Sequence, residues 1–219
     1  MRWDHPGLGS VSPGEFIPLV ERTALATRMT AWVLETAVSQ LALWRETGID
    51  LIISVNISSA NLHEPDFADT VQRILARHRV PSALVELEVT ETAVMSDAEQ
   101  SLKQMKQLAA AGVRLAIDDF GTGYSSLSYL QRLPVQVVKI DRSFMDELDT
   151  DPRQLSLVTM MIAMAKHLGH RVVAEGIETP GGLDLLRSTG CDEVQGYLIS
   201  RPLEVPAFAE WLIGSHDRV

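Results

Sequence analysis

"VRLAIDDFGTGYSSLSYLQRLPVQVVKIDRSF" (residues 113–144) carries two short apolar runs, each reaching aspartate near its end. Residues i and i+2 of a strand share a face. Read that way, Ala116 and Asp118 oppose Leu115 and Ile117, while Val137, Lys139 and Asp141 oppose Val138 and Ile140. Each run has one face to bury and one that turns charged toward its C-terminal end.

The same alternation recurs along the chain. In "LIISVNIS" (51–58), Ser54, Asn56 and Ser58 oppose Ile53, Val55 and Ile57. In "LVELEVTE" (84–91), Glu86, Glu88 and Thr90 oppose Val85, Leu87 and Val89. In "RVVAEGIE" (171–178), Val173 and Glu175 oppose Val172 and Ala174, and "EVQGY" (193–197) is a sixth candidate strand. Helix signals fill the gaps. "SPGE" (12–15) and "SDAE" (96–99) have capping-box spacing, and Gly112 closes the second of these helices. A further helix runs from about Gln154 to Gly169, and "TPGG" (179–182) opens another that ends near Gly190. Strand and helix in alternation predict a parallel sheet with helices outside it. Six such strands favour an α/β barrel of the TIM (β/α)8 type over an open sheet, within a single domain spanning 1–219.

Bulk properties narrow the function. The 219 residues are 46% hydrophobic, enough for a sizeable core, and the formal charge of −10 argues against a broad nucleic-acid-binding face. The one cysteine, Cys191, excludes an internal disulfide and reads as a small buried side chain rather than a nucleophile. No run of apolar residues is long enough to span a membrane, and the first ten residues lack the apolar core of a secretory signal. "DFG" (119–121) echoes a kinase metal motif, but no kinase catalytic loop accompanies it. The methionines at 160, 161 and 164 and the tryptophans at 32 and 44 read as core, and the histidines of "HLGH" (167–170) as surface or capping groups.

In a parallel barrel the C-terminal strand ends gather at one mouth. The alternation therefore predicts a polar chamber built from Asn56, Glu88, Asp118, Asp119, Lys139, Asp141, Glu175 and Gln195. A polar sheet face open to water would show the same pattern. Among these residues five carboxylates face a single ammonium, a crowding that divalent cations relieve. Carboxylate and amide oxygens suit Mg²⁺ or Mn²⁺, and neither a thiolate nor a histidine on a chamber strand invites zinc. The adjacent aspartates can diverge around the turn, Asp118 bridging or serving one ion and Asp119 the other.

The segments "FIPLVERT", "VNIS", "ELEVTETAVM", "DDFGTGYSSLSYLQRLPVQVVKIDRSF", "VVAEGIET" and "CDEVQGYLISRPL", in this order, resemble the EAL domain family from residue 2 to near 212. The resemblance implies a modified TIM barrel that hydrolyses cyclic di-GMP to linear pGpG with two Mg²⁺ or Mn²⁺ ions, Ca²⁺ binding without turnover. It implies Asn56, Glu88 and Asp118 as ligands of one ion, and Asp118, Asp119 and Asp141 as the surroundings of the second. Glu175 resembles the general base, and Lys139 the lysine that positions the attacking water. Arg2 and Gln195 resemble substrate-contacting residues, and Glu91 and Glu178 the glutamates that brace the "GTGYSS" loop. The implied setting is cytoplasmic, in a parent protein that can be membrane-anchored and carries N-terminal sensor or diguanylate cyclase domains. A homodimer is compatible with it.

One departure accompanies the resemblance. The family's Glu-Ala-Leu tripeptide precedes a segment like Met1-Arg2-Trp3, with which this chain begins. The expectation is an incomplete barrel, lacking the first strand and most of the second, whose activity alone is in question. Besides the enzyme, the sequence leaves open a catalytically silent cyclic di-GMP-binding module.

Overall fold

The computed structural model describes residues 3–123 and 127–215. The chain divides into two compact units, one comprising 1–139 with 168–170, the other 140–167 with 171–219. The first opens with an antiparallel pair, β1 (Trp3–His5) and β2 (Gly9–Val11). There follow α1 (Pro13–Glu21), α2 (Leu25–Glu46), β3 (Ile53–Ile57), α3 (Ser59–His63), α4 (Phe67–His78), β4 (Val85–Thr90), α5 (Glu91–Met95), α6 (Ala98–Ala110), β5 (Arg114–Phe120), α7 (Leu127–Leu130) and β6 (Val137–Ile140). The second unit contains α8 (Pro152–His167), β7 (Arg171–Glu175), α9 (Pro180–Thr189), β8 (Glu193–Gln195) and α10 (Val205–Ser215). Strands β3 to β8 form a six-stranded parallel sheet in sequence order, the strand–helix repeat of a TIM-type barrel with six strands where a complete one has eight.

Local chemistry sets the element ends. Before α1, the Glu15 carboxylate accepts the Ser12 N–H at 3.2 Å, and Pro13 opens the helix where its missing N–H costs nothing. The cap of α6 is Asp97 rather than the expected Ser96: its Oδ1 accepts the Gln100 N–H at 3.2 Å, while the Ser96 hydroxyl donates backward to the Ala93 carbonyl. The strand expected over 135–144 ends at Ile140, because Asp141 turns its carboxylate onto the Ser143 N–H and starts a 3₁₀ turn, Arg142–Phe144. That expected over 171–178 ends at Glu175, where Gly176 takes φ of +81°. The end strand is likewise shorter, Glu193–Gln195.

In the first unit the core lies between β4 and β5 (Val85, Leu87, Val89, Leu115, Ile117) and helix faces carrying Leu34, Val38, Leu41, Phe67 and Val71. Leu34, Val38 and Leu41 recur at helical spacing, which gives α2 one buried stripe. Trp32 lies off that stripe and is 59% exposed, correcting the expectation that it anchors the core. In the second unit Val158, Ile162, Ala165, Val172, Ala174 and Leu186 are buried. Met161 joins them, whereas Met160, one position round α8, is 60% exposed. His170 was expected at the surface or in a cap; it is buried in the first unit, with Nδ1 3.1 Å from the Val135 carbonyl.

Helices α2 and α4 are clasped by Glu35, whose Oε1 lies 2.7 Å from His78 Nε2 and whose two oxygens each stand 3.0 Å from Arg77 Nη1. The His78 hydrogen bond is the largest influence holding the Glu35 carboxyl below its ordinary 4.5. A carboxylate favoured in the folded state contributes stability that is fully present above its unfolded pKa and is lost as pH falls through the folded value. Urea unfolding of Glu35→Gln and the parent at pH 6 and pH 3.5 checks this: the clasp predicts a stability gap between the two proteins at pH 6 that shrinks at pH 3.5.

Candidate active site

Sheet register places the predicted chamber residues of the first unit on one face. Asn56 and Glu88 are register partners, and Glu88 is partnered with Ala116, two residues before Asp118 on β5. From β6, Lys139 Nζ lies 2.8 Å from Glu88 Oε1 and 3.9 Å from Asp118 Oδ1. Glu88 is 5% exposed, Lys139 6% and Asp118 9%, so these three are shielded from water, whereas Asn56 at the β3 edge of the face is exposed. Burying an ammonium and carboxylates is tolerable only where they satisfy one another, so the ion group fixes the spacing of β4, β5 and β6.

A second polar layer lies toward the N-terminal ends of the same strands. The buried Glu86 accepts the Ser54 hydroxyl at 3.3 Å and Arg114 Nε at 3.3 Å. Glu86 stood in the sequence pattern as a polar alternate, but Arg114 as its partner did not, because the pairing requires the register of β4 against β5.

Asp118 and Asp119 are kept apart by the backbone. Asp119 has φ of +52°, a left-handed conformation that aspartate tolerates better than most residues, and its N–H donates to Asp118 Oδ1 at 3.0 Å. The Thr122 N–H and hydroxyl then close on the Asp119 carbonyl at 3.2 and 2.8 Å. Beneath this turn the buried Glu91 accepts the Gly121 N–H at 3.1 Å. An added Cβ at Gly123 would stand 2.7 Å from Glu91 Oε1, so loop backbone and carboxylate are in close packing. Residues 124–126 of "GTGYSS" lie outside the described residues, as does Arg2.

In the second unit Glu175 ends β7, and its register partner on β8 is Gln195. Both line a cavity of about 410 Å³, together with Glu178, Arg142 and Tyr197. Arg142 and Tyr197 were missed in the sequence, although each closely follows a polar strand end, in "DRSF" and "QGY". The Tyr197 ring is backed by the Arg201 guanidinium, 4.6 Å from its centroid, a cation–π arrangement that leaves an aromatic face and a cation together. Asp141 is engaged with Ser143, whose N–H and hydroxyl reach Oδ1 at 3.0 and 2.5 Å. Burial pushes the Cys191 thiol above its usual range, which keeps it protonated and unsuited to nucleophilic work.

The donors predicted for a metal are carboxylate and amide oxygens, and this chemistry fits Mg²⁺ or Mn²⁺. Among the described residues no three His, Cys, Asp or Glu side chains are already gathered as a metal cage. Asn56 also borders a cavity of about 610 Å³ between α1, α2, α5 and the β3 side of the first unit. Among the described residues no helix is long and apolar enough to cross a membrane.

Comparison with known proteins draws these observations together. The family model described as EAL domain matches residues 1–202. The bifunctional diguanylate cyclase/cyclic di-GMP phosphodiesterase MucR of Pseudomonas aeruginosa is 42% identical over 216 residues, 98% of this chain and 31% of that protein. The cyclic di-GMP phosphodiesterase NbdA of the same organism is 41% identical over 213 residues, 97% of this chain and 27% of that protein. This chain thus spans about a third of the length of these relatives or less. Among solved structures, the PaMucR phosphodiesterase in its c-di-GMP complex superposes with a TM-score of 0.89 at 42% identity, covering 94% of this chain and 84% of that one. The EAL enzyme Bd1971, in a form with cAMP and cyclic-di-GMP bound, gives 0.89 at 31% identity, covering 95% of this chain and 58% of that one. With its strand order, its register-aligned polar face and a match over nearly its whole length, the chain belongs to the EAL domain family.

Proposed function

We propose that this domain hydrolyses cyclic di-GMP to linear pGpG. The observation that carries the reading is the buried group of Glu88, Asp118 and Lys139 on three neighbouring strands, a charged cluster too costly to keep in a fold for packing alone. Support comes from MucR and NbdA, named for cyclic di-GMP phosphodiesterase, and from the PaMucR structure, which is a c-di-GMP complex.

In the proposed reaction a water oxygen bonds to one phosphorus in line with the ester oxygen opposite, and that P–O bond breaks, the departing oxygen keeping the electron pair and taking a proton from solvent to become a hydroxyl. The ring opens to a linear dinucleotide with one terminal phosphate. Glu175 takes the proton of the attacking water. Lys139 orients that water and places positive charge beside the phosphoryl oxygens. Asn56, Glu88 and Asp118 would hold one divalent ion, and Asp118, Asp119 and Asp141 would surround a second. When bound, such ions supply Lewis-acid stabilisation of the entering and leaving oxygens. Arg2 and Gln195 would contact the substrate, and Glu91, which accepts the Gly121 N–H, would hold the loop after the paired aspartates; Glu178 lines the cavity beside Glu175. A cytoplasmic setting follows from an intracellular cyclic dinucleotide as substrate. A parent protein that also carries a diguanylate cyclase domain would match the bifunctional character in MucR's name.

Glu175→Gln tests the reading. Loss of a general base should lower kcat by roughly 10²–10⁴-fold, with cyclic di-GMP affinity measured in Ca²⁺ unchanged. Product is followed by chromatography of pGpG in Mg²⁺. Parental turnover in the variant contradicts the base assignment. Tight binding in Ca²⁺ with no pGpG from the parent chain in Mg²⁺ points instead to a silent binding module.

A further inference from the structure

Gly176 directly follows Glu175 and sits at φ of +81°, which L side chains rarely adopt. A Cβ added there would overlap Arg142 Cβ and lie 3.1 Å from Arg142 Cα. The obstructing atoms are backbone and the first carbon of the side chain, so no rotamer change removes them. Arg142 in turn follows Asp141, whose carboxylate is tied to Ser143. The next segment is packed in the same way. A Cβ at Gly196 would overlap Ile177 N and O, while the Ile177 N–H donates to the Gln195 carbonyl and the Leu198 N–H to the Ile177 carbonyl, both at 3.0 Å. Segments 175–177 and 195–198 therefore lie backbone against backbone, and the Cα and Cβ of Arg142 close directly on the Gly176 backbone.

We infer that Gly176 is a positioning residue: by admitting the Arg142 backbone at contact distance, it fixes where the Glu175 carboxylate stands relative to Asp141 and Gln195. The inference deepens the proposed function and rests on it. The contact keys two loop starts that each carry a proposed functional carboxylate, so a shift at 176 moves both. Gly196 does the same between the β7 and β8 ends, but it follows Gln195 rather than the proposed base, so the sharper test lies at 176.

The experiment is a cycle of Gly176→Ala, Arg142→Gly and the double variant in the full chain, with kcat, KM and thermal midpoint measured for each. Misplacing a catalytic group by about 1 Å costs on the order of 10²-fold, so Gly176→Ala should lower kcat of the folded protein by about that factor while KM changes less than about threefold. In the Arg142→Gly background, which removes the obstructing Cβ, the same substitution should cost no more than about tenfold. Equal losses in both backgrounds overturn the inference, as does a parental kcat in Gly176→Ala. If Gly176→Ala alone fails to fold, folding restored by Arg142→Gly supports the contact, and failure of both variants assigns the glycine to its φ alone and overturns it. A parent chain that makes no pGpG defeats the proposed function only. The contact is then judged on the Ser143 amide resonance, which Gly176→Ala must displace if the inference holds and leaves in place if it is wrong.

Discussion

A lysine ammonium buried between two carboxylates is the constraint around which the first unit is arranged. Lys139, Glu88 and Asp118 come from β6, β4 and β5, and none reaches water freely. Removing any one charge leaves the others in a medium that solvates them badly, so the group demands a register that keeps Glu88 and Asp118, offset by two positions across β4 and β5, both within reach of Lys139. A two-residue slip would leave Leu87, Val89, Leu115 and Ile117 on their buried face, but it would separate the ions. The second layer, Ser54–Glu86–Arg114, repeats the requirement nearer the N-terminal strand ends.

The alternation that defines this face was legible in the sequence because strand geometry is local: Glu86, Glu88 and Thr90 must share a side whatever surrounds them. Strand ends were less legible. The run 135–144 reads as extended by propensity, yet Asp141 prefers its own local hydrogen bonds to Ser143 and stops the strand. At 96–97 two capping residues compete, and Asp97 prevails because the Ser96 hydroxyl is used by Ala93. Pairs far apart in sequence, such as Glu35 with His78 or His170 with Val135, leave no local signature at all. Which of Met160 and Met161 faces inward depends on the rotation of α8, which composition does not set.

The candidate site shows the same division. The carboxylates and Lys139 announced themselves by charge on otherwise apolar strands. The residues that hold them, Arg114 beneath Glu86 and Arg142 against Gly176, became visible only once backbones were placed side by side. The paired aspartates illustrate why. Sequence predicts that they diverge; the left-handed backbone at Asp119 and the N–H it turns toward Asp118 show how.

The claim on which the account depends is that Lys139 and Glu88 stabilise one another where water does not reach. A double-mutant cycle of Lys139→Met and Glu88→Gln, read as unfolding free energy in urea, measures this directly. The account predicts a coupling of about 1.5 kcal/mol or more, within the range for contacting residues. Effects that add to within about 0.5 kcal/mol, as for residues that do not meet, would contradict it.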